Sequence, residues 1–154
     1  MVKYNTNQDI DGSYKAITSN TAFQLTSNWT FSAATTGAAS AHTVFSVTGI
    51  VAVNVVGFCT ADLTSGGAAT VGLGTTSSTA CLADQQTATN VNNHMVWHDS
   101  VLAIGGQTAG HTHLVDQDIE LLVGTTTVTG GTMTFLCQWR PISANGNVTV
   151  ATPA

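Results

Sequence analysis

Apolar and polar residues alternate along much of the chain with a period of two. The clearest stretch follows His42, where five apolar residues share one parity on either side of Gly49: Phe45, Val47, Val51, Val53 and Val55. Successive side chains of a strand point to opposite faces, so this spacing predicts one long strand with an apolar face, bent or bulged at Gly49. A helix is disfavoured, because Val, Thr and Gly dominate the stretch and no capping box precedes it.

A second stretch, residues 119–141, has the pattern of a β-hairpin. Apolar residues precede the pair Gly130-Gly131, and four more follow it on one parity: Met133, Phe135, Cys137 and Trp139. A period of two on both sides of a Gly-Gly pair predicts two paired strands joined by a tight turn. Pro141 ends the second strand, since proline cannot extend a hydrogen-bonded ladder.

Shorter strands are predicted elsewhere. The segments ATVGLG and TACLAD flank the polar turn TTSS, Met95 and Trp97 alternate with Val96, and a last short strand follows the turn at Asn145-Gly146. No segment has a convincing 3.6-residue period. Regularly spaced short strands predict an all-β protein, an antiparallel β-sandwich or a jelly-roll-like fold.

Residues 1–40 differ in composition from the rest of the chain. We predict that they form an N-terminal arm or extended strands that act as a contact region, and that residues 41–154 form a β-sandwich domain. The region is rich in Thr, Ser and Ala, and the pairs Phe23/Leu25 and Trp29/Phe31 are each spaced two apart, as on one face of a strand. A floppy tail is the alternative. The candidate assembly contacts in this region are Lys3, Tyr4, Tyr14, Lys15 and Trp29.

Charge is scarce in this chain. Its 154 residues include 3 Lys+Arg and 8 Asp+Glu, which is 7% charged and a net charge of -5, where an ordinary soluble domain has roughly 25% charged residues. Three cations argue against a nucleic-acid binder, because phosphate contacts need Lys and Arg. No apolar run approaches the ~20 residues of a membrane helix, and the N-terminus lacks a signal-peptide core. A surface so poor in ions is expected to be covered by partners.

Two clusters of polar residues are candidates for binding an ion. His111 and His113 lie two apart, with Asp116 just downstream, so they are weak candidates for a metal site, particularly if symmetry brings copies together. The alternative is that they are polar residues at a strand edge. Calcium at Asp116, Asp118 and Glu120 is less favoured than a solvated strand start, since calcium needs six or more oxygen ligands. We expect no metal ion and no cofactor.

Catalytic chemistry is not indicated. His98 and Asp99 are adjacent and would point to opposite faces of a strand, and neither a GxSxG elbow nor a P-loop is present. Cys59, Cys81 and Cys137 are odd in number and form no CxxC, so buried free thiols are expected, although one disulfide remains open. We therefore predict that the protein is not an enzyme.

The tryptophans allow two interpretations. Trp29, Trp97 and Trp139 would suit a sugar-stacking platform in a carbohydrate-binding module. Packing in the core or at a subunit interface is the simpler one. The aromatic residues assigned to core or interface are Phe45, Trp97, Phe135 and Trp139.

Three segments of the second half carry a family resemblance. They are Thr79 to Thr89, the run Val96-Trp97-His98-Asp99, and Thr129 to Ser143, which contains Phe135-Leu136-Cys137-Gln138-Trp139. With these segments, residues 43–150 resemble small structural proteins encoded by tailed bacteriophages and prophages. Leu136 stands where that pattern usually has Tyr, and Asn145 where it usually has Asp.

This resemblance implies a β-rich component of the phage particle. The preferred role is a capsid decoration (cement) protein on the outer surface of the head, made in the bacterial cytoplasm and seated in several copies, as a homotrimer. Its partners would be the major capsid protein or other virion proteins, without nucleic acid or membrane. A tail, neck or fibre component is the alternative within the virion class.

Overall fold

The computed structural model describes residues 23–98 and 112–152, which form ten β-strands and one 3₁₀ turn. The strands are β1 (Phe23–Thr30), β2 (Ala41–Thr48), β3 (Val51–Thr64), β4 (Thr70–Thr75), β5 (Ser78–Thr87), β6 (Val96–Trp97), β7 (His113–Val115), β8 (Ile119–Gly124), β9 (Gly130–Pro141) and β10 (Asn147–Val150), and the 3₁₀ turn is Ala88–Asn90. Within these two ranges there is no α-helix, and so no helix long and apolar enough to span a membrane.

The strands form two antiparallel sheets. Sheet I has the order β1-β9-β3-β6, with β7 also paired to β3, and sheet II has the order β10-β2-β8-β4-β5. Buried side chains from both sheets make one hydrophobic core. The all-β, antiparallel and sandwich-like prediction is confirmed. The apolar parity of β9 is confirmed too, since the alternate residues Met133, Phe135, Cys137 and Trp139 are all buried.

The chain turns between sheets at Gly49, where the sequence predicts one continuous strand. That prediction is wrong: β2 belongs to sheet II and β3 to sheet I. Gly49 has a φ of 65°, in the left-handed region that glycine adopts without strain. A Cβ there would lie 2.5 Å from the Ser143 Oγ atom. The Ile50 N–H donates to the same Oγ at 2.8 Å, so the turn is fastened to the loop before β10.

The predicted hairpin over residues 119–141 does not form either. β8 pairs with β2 and β4, whereas β9 pairs with β1 and β3, so the two strands lie in different sheets. The connection between them is held by other loops, because the Val128 N–H donates to the Gly37 carbonyl and the Thr129 N–H to the Thr64 carbonyl. The predicted hairpin of ATVGLG and TACLAD, in contrast, is the β4–β5 pair.

Residues 78–80 of β5 cover part of the outer face of sheet II. The register of β4 and β5 shifts between Leu73 and Thr75, so β5 carries extra residues there. A Cβ on Gly74 would collide with the Ser78 carbonyl oxygen, and one on Gly72 would lie 3.1 Å from the Thr79 carbonyl oxygen. Glycine is therefore required on β4 beneath this part of β5.

β1, which lies in the region predicted to be an arm or extended strands, pairs with β9 along its whole length. Trp29 of β1 is buried in the core, and its Nε1–H donates to the Thr36 carbonyl at 3.3 Å. The expectation that Trp29 is an assembly contact is therefore wrong, since its indole packs inside its own chain. The other four predicted contacts, Lys3, Tyr4, Tyr14 and Lys15, lie outside the described residues.

Candidate contact face

The carboxylates and histidines singled out from the sequence are spread over several loops and strands. His113 is half-buried on β7, Asp116 is exposed in the turn that follows, and His111 lies outside the described residues. Residues 23–98 and 112–152 contain no group of three His, Cys, Asp or Glu side chains placed to hold a metal ion. Asp118 has a structural role, because its Oδ1 accepts the backbone N–H of Val47 at 2.8 Å.

The three indoles are buried, so they form no exposed platform for stacking against a sugar. The Trp97 Nε1–H donates to the Asp84 carbonyl at 3.0 Å, and the Trp139 ring stacks on Phe23 with centroids 4.7 Å apart. The carbohydrate-binding interpretation based on these residues is wrong for this arrangement. Phe45, Trp97, Phe135 and Trp139 are all core residues of the single chain.

The thiols are free and mostly buried. Cys59 and Cys137 are buried and Cys81 is half-buried, and none forms a disulfide. Burial raises the pKa of the Cys137 thiol from 9.0 to about 12, and burial also raises the pKa of Cys59. A raised pKa keeps a thiol protonated at neutral pH, and the thiolate is the reactive form. These two cysteines therefore act as small core residues.

The outer face of sheet I is the surface best suited to binding a partner. This contact face consists of the even-numbered residues of β1, of β9 and of β3 as far as Thr60, together with Val96 of β6 and Leu114 of β7. Their neighbours of opposite parity point into the core. Arg140 is the only charged residue in this set. Such a face has little ionic hydration to lose when another protein covers it.

Apolar side chains are exposed along one side of the contact face. Phe58 is 39% exposed, and its register partner Val96 on β6 is 56% exposed. Leu114, the register partner of Ala52, is 68% exposed. Phe58 and Val96 form one exposed apolar pair, whereas Leu114 lies opposite Ala52, about 20 Å away along β3. Adjacent exposed apolar groups such as the Phe58–Val96 pair are typical of interaction sites.

Two polar pairs of the contact face are hydrogen-bonded within the chain. The Thr134 Oγ1 atom donates to the Asn28 Oδ1 at 2.9 Å across β9 and β1. The hydroxyls of Thr60 and Thr132 lie 2.6 Å apart across β3 and β9. Polar groups that already bond one another lose less when water is removed, so this part of the face is also inexpensive to bury.

Sheet II offers a poorer docking surface. Part of its outer face is covered by residues 78–80 of its own β5. Both sheets bear a carboxylate: Glu120 on β8 of sheet II accepts a hydrogen bond from the Thr76 Oγ1 at 3.2 Å, and Asp62 is exposed near the end of β3 in sheet I. The comparison of the two sheets singles out sheet I.

Two small pockets lie on or beside the contact face. One, of about 170 Å³, lies over β3 and β9 beside Arg140. The other, also about 170 Å³, lies beside Trp97 and has mostly apolar walls that include Val91, Met95 and Val96. A water molecule occupies about 30 Å³ in the liquid. Each pocket is therefore several water molecules in size and has room for one side chain or a small group.

Only part of the contact face is predictable from the sequence. Phe58 has the parity opposite to Val53 and Val55, which places it on the other face of β3. Its closeness to Val96 arises only from the pairing of β6 with β3, which alternation does not specify.

Comparison with models of protein families, with curated proteins and with solved structures found no match to this chain. The similarity to phage structural proteins therefore stays a prediction.

Proposed function

We propose that the protein is a structural component of a bacteriophage virion, a capsid decoration (cement) protein that stabilises the head shell by multivalent contacts. The observation that carries this proposal is the contact face, which is almost uncharged and exposes Phe58, Val96 and Leu114. The resemblance of residues 43–150 to phage structural proteins supports it, and so does the low charge of the whole chain.

The physical requirement of a cement protein is to gain free energy by burying surface at junctions of the shell. Apolar burial contributes about 25 cal/mol per Å², and a stable interface buries roughly 800 Å² on each partner. A face of Thr, Asn, Gln, Val, Leu and Phe with a single Arg loses less hydration when covered than a face of many ions would. Several copies bound together would multiply the effect of a modest contact.

The remaining parts of the proposal concern assembly. The chain acts as a homotrimer, binds the major capsid protein or another virion protein, and lies on the outer surface of the head. Its two sheets are arranged in a jelly-roll-like manner. Neither nucleic acid nor membrane is a partner.

The proposal is tested with virions that lack the protein. Heads made without it should release DNA at a lower temperature, and purified protein should bind them and restore the wild-type release temperature. A Leu114→Asp variant should fail to bind, since it places a charge on the contact face. Thr149→Asp, which changes an exposed residue of β10 in sheet II, should bind normally. Failure of the wild-type protein to bind heads, or equal binding by both variants, would contradict the proposal.

A further inference from the structure

We propose that the pocket beside Arg140 is a carboxylate-binding site. It lies on the contact face and has a volume of about 170 Å³. It is lined by Ala52, Val53, Asn54, Thr112, Gln138, Trp139 and Arg140.

Strand register explains why a pocket forms at this point. Asn54 is the register partner of Gln138, and Ala52 is the register partner of Arg140. On one face of an antiparallel pair such residues form a rectangle about 5 Å across the strands and 7 Å along them. Three of the four corners carry long or polar side chains, and the fourth carries only the methyl group of Ala52. The pocket lies over this rectangle, and Ala52 beneath it is almost fully buried.

The pocket carries several hydrogen-bond donors that have no partner among the described residues. Arg140 is the only Lys or Arg in residues 23–98 and 112–152, and within those two ranges it forms no ion pair or hydrogen bond. The side chains of Asn54, Gln138 and Thr112 likewise have no hydrogen-bond partner among the described residues. Elsewhere on the contact face, Thr134 bonds to Asn28.

These donors select an anion with a single charge. A guanidinium offers parallel N–H groups that match the two oxygens of a carboxylate, and amide NH₂ groups can satisfy the remaining lone pairs. A phosphate group carries a charge nearer -2 at neutral pH. One arginine balances a carboxylate and leaves such a phosphate only partly neutralised.

The carboxylate would come from an Asp or Glu side chain of the head shell, which enters the pocket where the contact face meets the shell. This identification of the source rests on the proposed function. The apolar residues of the face would supply affinity, and the pocket would fix the register of the contact. Charged groups at interfaces contribute specificity in this way.

The site itself is tested in solution with the full ¹⁵N-labelled chain. The probe is N-acetylglutamate α-methylamide, whose only carboxylate is the side chain, and the controls are its glutamine analogue and inorganic phosphate. We expect the glutamate probe to shift the side-chain resonances of Asn54, Gln138 and Arg140. R140Q should bind at least about tenfold more weakly with the rest of its spectrum unchanged, R140K should retain part of the affinity, and T149A should bind as the wild type does.

Three results would overturn the site. They are equal shifts with the glutamine analogue, unchanged binding by R140Q, and phosphate binding as tight as that of the glutamate probe, which would show a general anion site. The source is tested separately by binding to heads, where R140Q should be weaker than R140K. Normal binding of R140Q to heads would refute the shell as the source. If the wild-type protein does not bind heads, the proposed function fails, while the solution result still decides whether the site exists.

Discussion

Phe58 and Phe135 lie on neighbouring strands and on opposite faces of sheet I, so the same substitution at each distinguishes the contact face from the core. Phe135 of β9 is fully buried, with its ring centroid 6.4 Å from that of Trp97. Its register partner on β3 is Gly57, and the next residue, Phe58, points outward. Alanine at either position removes the same aromatic ring.

The expected magnitudes differ between the two sites. Phe135→Ala leaves a cavity in the core and should lower the free energy of unfolding by about 3–5 kcal/mol. Phe58→Ala leaves no enclosed cavity and loses only the contacts of the covered part of the ring, so in the isolated chain it should cost less than Phe135→Ala, about 1–3 kcal/mol. Binding affinity for the virion, in contrast, should depend more on Phe58 than on Phe135. Phe58 is 39% exposed, which is about 80 Å² of a side chain of roughly 200 Å². Covering that area is worth about 2 kcal/mol, or about 30-fold in affinity per subunit.

The assay has two parts. Urea unfolding of the isolated variants, followed by tryptophan fluorescence, measures the stability difference. Co-sedimentation with heads that lack the protein measures affinity. The reasoning is refuted if Phe58→Ala destabilises the isolated chain as much as Phe135→Ala does. It is also refuted if Phe58→Ala binds heads with wild-type affinity.

Three further predictions concern stability measured by urea unfolding. Gly74→Ala should cost about 1–3 kcal/mol or more, because its Cβ would collide with the backbone of β5. The control Gly66→Ala, whose Cβ would meet no atom within 4 Å, should stay within about 0.5 kcal/mol of wild type. Equal effects of the two substitutions would contradict this account of β4. Because the pKa of Cys137 is raised, the unfolded chain loses this thiol proton above pH 9, whereas the folded chain keeps it until about pH 12. Between these two pH values the thiol should therefore lower the free energy of unfolding by about 1.4 kcal/mol per pH unit. Cys137→Val should lack that contribution, and identical pH slopes for the two proteins would contradict it. Asp118→Ala should cost about 1 kcal/mol, since a backbone N–H of β2 loses its acceptor, and an unchanged unfolding midpoint would count against this role.

The face that each strand residue occupies could be predicted from the sequence, because side chains alternate with a period of two. Met133 and Phe135 are buried as their parity predicts. Val44 and Phe45 are an instructive exception, because both are buried although they are adjacent. The register of β2 with β8 shifts between Thr43 and Phe45, and this irregularity brings two consecutive side chains into the core.

The pairing of strands could not be predicted in the same way. Alternation identifies a strand but not its partner, and the partner depends on turn geometry and on contacts between distant residues. The break at Gly49 depends on a positive φ, and the separation of β8 from β9 depends on hydrogen bonds to the loops at Gly37 and Thr64. The contact face was missed for this reason, since it exists only once β1, β9, β3 and β6 lie side by side.

Cryo-EM of the phage particle tests the central claim most directly. The account predicts density for this protein on the outer surface of the head, in several copies at symmetry junctions, with Phe58 and Leu114 of sheet I against the shell. Density confined to the tail or neck would contradict the decoration role. Density on the head with sheet II against the shell and sheet I in solvent would contradict the assignment of the contact face.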